Sequence, residues 1–252
     1  MNKYLKNLNK LEFVVTYSCT GKCKHCSEGN TILPSGFISP DIAARLVAEV
    51  AERYDISSVM TFGGEPLLFP ETVYAVHSIA KDMNISKRTL ITNGFFTTDN
   101  SKITHVAKRL SESGTNAVLL SVDAFHQETI PLEPVKKFAE ELKGFNVPLK
   151  IHPAWLVNKE HDNPYNLRTN ELLAVFTEME ISVSEGNDII PSGNALKYLG
   201  DYYDLSKEYI NPYDENPKDI RAISFDPSGK ILGGNFYETD IIEILEKYTP
   251  NN

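Results

Sequence analysis

Six times between residues 12 and 186 a short apolar run gives way to a polar or helically spaced stretch, and this alternation limits the fold more than any other feature of the 252 residues. The runs EFVVT (12–16), SSVMTF (57–62), RTLIT (88–92), NAVLLSV (116–122), PLKIHPAWLV (148–157) and ISVSEG (181–186) read as strands. Helices are predicted over 70–83, near 100–113 with Gly114 as C-cap, over 134–143 and over 169–179. A further helix opens with Ser39 as N-cap and Pro40 in the first turn, and Ile42, Leu46, Val47 and Val50 give it one apolar face. Alternation of this kind implies an α/β fold with a parallel sheet and right-handed crossovers. The strand runs are mostly continuous in apolar residues, the pattern of strands covered on both faces. An open doubly wound sheet and a partial barrel both satisfy it, and both place a functional site at the carboxyl ends of the strands.

Beyond about residue 190 the alternation stops, which divides 1–190 from an extension over 191–252. IIPSGNALKYLGDYYD and the stretch 209–217 read as surface connections. RAISFD and ILGG read as a β-hairpin around the turn Pro227-Ser228-Gly229-Lys230, and DIIEILEKY (240–248) as a closing helix. A formal net charge of −9 argues against nucleic acid and anionic membranes as partners. No apolar run has the length of a membrane span or the form of a signal peptide, so the expected location is cytoplasmic, where thiols stay reduced.

All three cysteines fall within eight residues, Cys19, Cys23 and Cys26 of CTGKCKHC, directly after the first predicted strand. Three thiolates so spaced can converge on one soft-metal centre. A structural zinc site takes four protein ligands, and His25, the local fourth donor, adjoins Cys26, where neighbouring side chains diverge. A disulfide with a spare thiol suits a reducing compartment poorly. An iron–sulfur cubane has four irons, so three cysteines leave one of them open to another ligand.

The C-x3-C-x2-C spacing after strand one resembles the radical S-adenosylmethionine (radical SAM) enzymes. The resemblance implies a partial (β/α)6 TIM-type barrel, one [4Fe–4S] cluster on Cys19, Cys23 and Cys26, and S-adenosylmethionine on the open iron. It implies further cofactor contacts at successive strand ends: Gly63, Gly64, Glu65 and Pro66 for the methionine amino group, Asn93 of Thr92-Asn93-Gly94, and Ser121 and Asp123 of Ser-Val-Asp. His25 stands where relatives carry an aromatic residue near the adenine. His126, His152 and Glu185 are expected in the substrate pocket. The tail ISFDPSGKILGGNFYETDIIEILEKY resembles the SPASM and twitch subfamilies, with Gly233-Gly234 where those proteins place auxiliary-cluster cysteines.

This resemblance implies reductive cleavage of S-adenosylmethionine to a 5′-deoxyadenosyl radical that abstracts hydrogen from a substrate, with a ribosomally made peptide as the leading expectation. Only about a dozen residues precede strand one, so a leader-binding domain is expected, if used, as a separate protein. Lys3, Lys6, Lys10, Lys22 and Lys24 against Glu12 make this end basic, which suits an acidic electron donor, flavodoxin or ferredoxin. Three alternatives stand beside this reading: a glycyl-radical-enzyme activase, whose fourth strand usually carries Asp-x-Lys where this chain has SVDAF; a small-molecule radical SAM enzyme; and a zinc-binding regulatory protein.

Overall fold

The computed structural model describes residues 2–29 and 36–250. Five parallel strands follow one another across the sheet: β1 (Lys10–Val14), β2 (Ser58–Phe62), β3 (Lys87–Thr92), β4 (Ala117–Ser121) and β5 (Leu149–His152). Helices α1 (Pro40–Ala51), α2 (Pro70–Asp82), α3 (Asn100–Glu112) and α5 (Leu132–Gly144) alternate with them, and the short α4 (Ala124–Gln127) precedes α5. The local signals act as expected. Ser39 accepts from the Ile42 N–H at the start of α1, Asp99 caps α3, and Gly114 takes φ +82 beyond its end.

One expectation about the strands needs correction. In β1, β2 and β4, fully buried residues alternate with half-buried ones. Leu11, Phe13, Val59, Leu90, Val118 and Leu120 belong to the buried core. The opposite face is not covered in the same way, for Val14, Phe62, Ile91, Ser121 and His152 line a large cavity. The sheet therefore curves around a concavity, as in a partial barrel, rather than lying between two helical layers.

The fifth and sixth predicted strands are cut short. Pro153 has no N–H to give the ladder, so the run 148–157 divides into β5 and the two-residue β6 (Ala154–Trp155). Residues 181–186 make only a parallel bridge, Ile151 to Val183. At Gly186, φ +79, an added Cβ would stand 2.3 Å from the Pro153 carbonyl oxygen, so the chain turns away there. It then forms β7 (Asn187–Asp188) alongside β6. Helix α6 (Pro164–Glu178) starts earlier than its apolar spacing suggests, because Asn163 caps it through the Asn166 N–H.

The tail differs more. After α7 (Gly193–Leu199), β8 (Ala222–Phe225) joins the main sheet parallel to β1, giving the order β5-β4-β3-β2-β1-β8. The expected hairpin around Pro227–Lys230 is therefore not formed. The hairpin lies one step later, between β9 (Lys230–Ile231) and β10 (Gly234–Asn235), around Leu232 and Gly233, both with positive φ. Ile223, Phe225, Phe236 and Leu245, the last on α8 (Ile241–Lys247), pack into the same core as the first five strands. Among the described residues no helix is long and apolar enough to cross a membrane.

Candidate active site

The cysteine loop leaves β1 at the carboxyl edge of the sheet, and its shape is fixed by neighbours on three sides. Cys26 N–H donates to the Cys23 carbonyl at 3.3 Å. Thr20 Oγ1 donates to the Phe95 carbonyl at 2.7 Å, and Lys22 N–H donates to Thr129 Oγ1 at 3.0 Å. From α7, the Asn194 N–H donates to the Cys26 carbonyl at 2.9 Å and its Nδ2 to the Cys23 carbonyl at 3.1 Å. Cys23 is buried, which pushes its thiol up, and the Asp123 carboxylate and the other two thiols add to it; partial desolvation also raises the exposed Cys19 and the half-buried Cys26. Three soft donors on one loop, facing one cavity and disfavoured there as bare thiolates, are suited to a cationic centre that stabilises the thiolate form. Lys24 pairs with Glu128 at 2.9 Å, so its charge is already partnered within the chain.

Behind the cysteines lies the segment at the end of β2. An added Cβ at Gly63 (φ +134) would stand 2.4 Å from the Thr16 carbonyl oxygen, and one at Gly64 would stand 2.3 Å from that of Ser18. The Gly64 and Glu65 N–H groups donate to these same two carbonyls, each at 2.8 Å. Glycine is thus required here by backbone pressed on backbone, which seats the cysteine loop against β2. The Glu65 carboxylate does not face the cavity. It is fully buried and accepts from the Leu67 N–H (2.9 Å), from Thr92 Oγ1 (2.8 and 2.9 Å) and from the Asn93 N–H (2.9 Å). Burial pushes its carboxyl up to about 7 against these donated bonds. Pro66 is likewise buried, opening a 3-10 turn. Glu65 and Pro66 therefore brace the strand ends, while Gly63, Gly64, Asn93, Ser121 and Asp123 reach the cavity wall.

At the end of β4 sits a cluster of imidazoles. Asp123 accepts from the Phe125 and His126 N–H groups, from the Ala154 N–H, and from His126 Nδ1 at 2.8 Å. Burial opposes ionisation of this carboxyl, yet His126 and the donated bonds prevail and hold it well below the carboxylate range. His25 stands with its ring centroid 4.8 Å from that of His126 and 5.1 Å from that of Phe125. Burial pushes His25 down to about 4, and its Nδ1 is buried without a hydrogen-bond partner among the described residues. Across the cavity, Ser184 Oγ donates to the Ile151 carbonyl, so it accepts from His152 Nδ1 at 2.8 Å. Both His126 and His152 are thus oriented through Nδ1, which leaves Nε2 of each for other partners.

Glu185 does not belong to this group. Its side chain is 93% exposed and pairs with Lys159 at 3.1 Å. Successive residues of an extended chain face opposite ways, so with Ser184 turned to His152 its neighbour points to solvent. Sequence reasoning also passed over the outer wall. Ile189, Leu196, Lys197, Tyr198, Tyr209 and Tyr213, from a stretch read as surface connection, line the cavity together with the cysteine loop. Its volume of about 1640 Å³ exceeds the ~300–1,000 Å³ common for small-molecule pockets. The alternating pattern offers no local signal for this wall; Ser192 before a short apolar run is its only trace.

A partial barrel with a three-cysteine loop at its carboxyl edge is the architecture of one enzyme class, and comparison agrees. Residues 13–152, more than half of the chain, match the radical SAM superfamily, and the chain belongs to it. It is a radical SAM enzyme, of the class that uses a [4Fe–4S] cluster and S-adenosylmethionine. A probable GTP 3′,8-cyclase of Saccharolobus islandicus is 26% identical over 259 residues, covering 98% of this chain and 77% of that protein. Native anSMEcpe with bound AdoMet superposes with a TM-score of 0.60 at 18% identity, over 95% of this chain and 80% of that one. Streptococcus suis SuiB bound to S-adenosylmethionine gives 0.62 at 15% identity, over 96% and 66%.

Proposed function

We propose that Cys19, Cys23 and Cys26 hold the [4Fe–4S] cluster and that S-adenosylmethionine lies against its open iron, along Gly63, Gly64, Asn93, Ser121, Asp123 and His25. The observation that carries this is the convergence of the three cysteines and the carboxyl ends of β1 to β5 on one cavity. The orphaned His25 Nδ1 in the same wall supplies a donor or acceptor for a bound cofactor. Held there, a [4Fe–4S] cluster with S-adenosylmethionine would supply one-electron reductive cleavage to methionine and a 5′-deoxyadenosyl radical able to take hydrogen from a substrate. The chain's own part is positioning: Asn194 and the two glycines set the loop, Asp123 fixes His126, and Ser184 fixes His152. A one-electron donor of the flavodoxin or ferredoxin class docks at the loop's outer side, where Lys22 contributes charge.

The substrate we favour is a peptide. The outer wall carries several aromatic and aliphatic side chains, and the cavity's lysines among the described residues are Lys24, paired to Glu128, Lys207, 3.5 Å from Asp204, and Lys22 and Lys197. A nucleoside triphosphate would need several unneutralised cations, preferably arginines, and no arginine lines the cavity among the described residues. A nucleotide is the second reading, favoured by the similarity to the GTP cyclase of Saccharolobus islandicus along nearly the whole chain.

Anaerobic protein loaded with iron and sulfide, then given S-adenosylmethionine and dithionite, is expected to form 5′-deoxyadenosine. Cys26→Ala is expected to reduce this to background. A colourless protein that takes up zinc and forms none contradicts the proposal. Added GTP is expected to leave the rate unchanged, and a severalfold rise with GTP would replace the peptide by the nucleotide.

A further inference from the structure

We propose that Asn93 sets the reduction potential of the cluster by donating an N–H···S hydrogen bond to Cys19. The inference rests on Cys19 being a cluster ligand. Asn93 Nδ2 lies 3.6 Å from Cys19 Sγ and 3.2 Å from Thr20 Oγ1. Which end of the amide faces the sulfur is fixed by its surroundings. Asn93 Oδ1 accepts from the Phe95 N–H at 2.8 Å, a group that can only donate. The Thr20 hydroxyl hydrogen goes to the Phe95 carbonyl, so Thr20 Oγ1 accepts from Asn93. Reversing the amide would set oxygen against oxygen and donor against donor. The backbone is held as well, because the Asn93 N–H is bound by Glu65, and the residue is only 5% exposed.

The other sulfurs are served differently. Cys19 also receives the backbone N–H of Gly21 at 3.4 Å, whereas beside Cys26 the Gly29 N–H donates to the Cys26 carbonyl at 3.3 Å. Asn93 is the one side-chain donor to a cysteine sulfur among the described residues. Reduction adds negative charge to an iron–sulfur centre, part of it on the ligating sulfurs. A donor aimed at a sulfur stabilises the reduced state more than the oxidised one and raises the potential. Asn93 acts through Cys19 and needs no contact with substrate.

The test is an EPR-monitored redox titration of the loaded protein without S-adenosylmethionine. Asn93→Asp keeps the acceptor for the Phe95 N–H and the backbone bond to Glu65, but turns an oxygen toward the sulfur. Asn93→Ala removes the donor without adding charge. At a fixed potential, Asn93→Ala is expected to hold roughly tenfold less reduced cluster relative to oxidised, a downward shift of about 59 mV for a one-electron couple. Asn93→Asp is expected to shift further. An unchanged midpoint in either variant with a full complement of iron overturns the inference. Failure of the wild-type protein to load any cluster overturns the ligand assignment beneath it instead.

Discussion

Glu65→Gln is expected to destabilise the fold and loosen the cysteine loop together, although the replacement is nearly isosteric. Both carboxylate oxygens face donors: one meets the Leu67 N–H, the other the Asn93 N–H, and Thr92 Oγ1 reaches both. Either orientation of a glutamine amide puts an NH2 group against a backbone N–H. Above about pH 7, where the Glu65 carboxyl is ionised and both oxygens accept, an unsatisfied buried donor costs about 1–3 kcal/mol. Two donors would then face each other, so the loss falls toward the upper end. At lower pH the protonated carboxyl already holds a donor there and the loss is smaller. The site follows, because the Asn93 backbone is tied to Glu65 and the Asn93 side chain to Thr20 and Cys19. Affinity for S-adenosylmethionine is expected to fall at least tenfold by equilibrium binding to the loaded protein.

The same residue carries a pH signature. Its carboxyl, raised by burial to about 7 in the folded protein, lies near 4.3 in an unfolded chain. The native state therefore binds the extra proton between these values, and Glu65 makes stability fall as pH rises from about 4.3 to 7. The slope reaches about 1.4 kcal/mol per pH unit within that window. Chemical denaturation at several pH values should show this component in the wild-type protein and lack it in Glu65→Gln. A difference between the two that does not vary with pH would contradict the burial argument.

The second large effect is expected at Gly193→Ala. Gly193 has φ +51, and an added Cβ would stand 1.9 Å from the Ser27 carbonyl oxygen and 2.9 Å from that of Cys26. These are backbone atoms of the cysteine loop, so no flexible side chain can yield. Either α7 retreats and the two Asn194 bonds to the loop break, or the loop itself shifts. Left-handed strain of roughly 1–2 kcal/mol and overpacking of roughly 1–3 kcal/mol act together. Iron bound per chain after reconstitution is expected to fall severalfold. Gly200→Ala, whose added methyl meets nothing nearer than Leu205 at 4.0 Å, should load normally. Equal loading of the two variants would show that α7 does not brace the cluster loop.

Much of the sheet is written locally. The runs that became β1 to β5 carry enough apolar residues to stand out, and their order follows from right-handed crossovers. The neighbour on the other side of β1 is not local. Ile223 and Phe225 alternate as a strand should, but nothing near residue 222 says that its partner is a strand more than two hundred residues earlier. The turn signal Pro227-Ser228-Gly229 was real as a turn, yet the hairpin formed around Leu232-Gly233, where leucine takes an unusual left-handed conformation.

Within the site, spacing marked the three cysteines and the paired glycines. It did not reveal why glycine is needed, since the crowding comes from Thr16 and Ser18 across the strand ends. The family resemblance suggested that Glu65 faces a ligand, and a place at a strand end suggested it for Glu185. Their aim is decided by burial in one case and by the parity of extended chain in the other. Asn194 had no signal, because its partners are carbonyls some 170 residues away.

The most direct measurement of the central claim is a Mössbauer spectrum of protein reconstituted with isotopically enriched iron, recorded with and without S-adenosylmethionine. Three cysteine ligands leave one iron of a cubane open, so the cofactor is expected to change about one quarter of the absorption and leave the rest as it was. A spectrum in which S-adenosylmethionine changes nothing, or changes all four irons alike, contradicts the three-cysteine site.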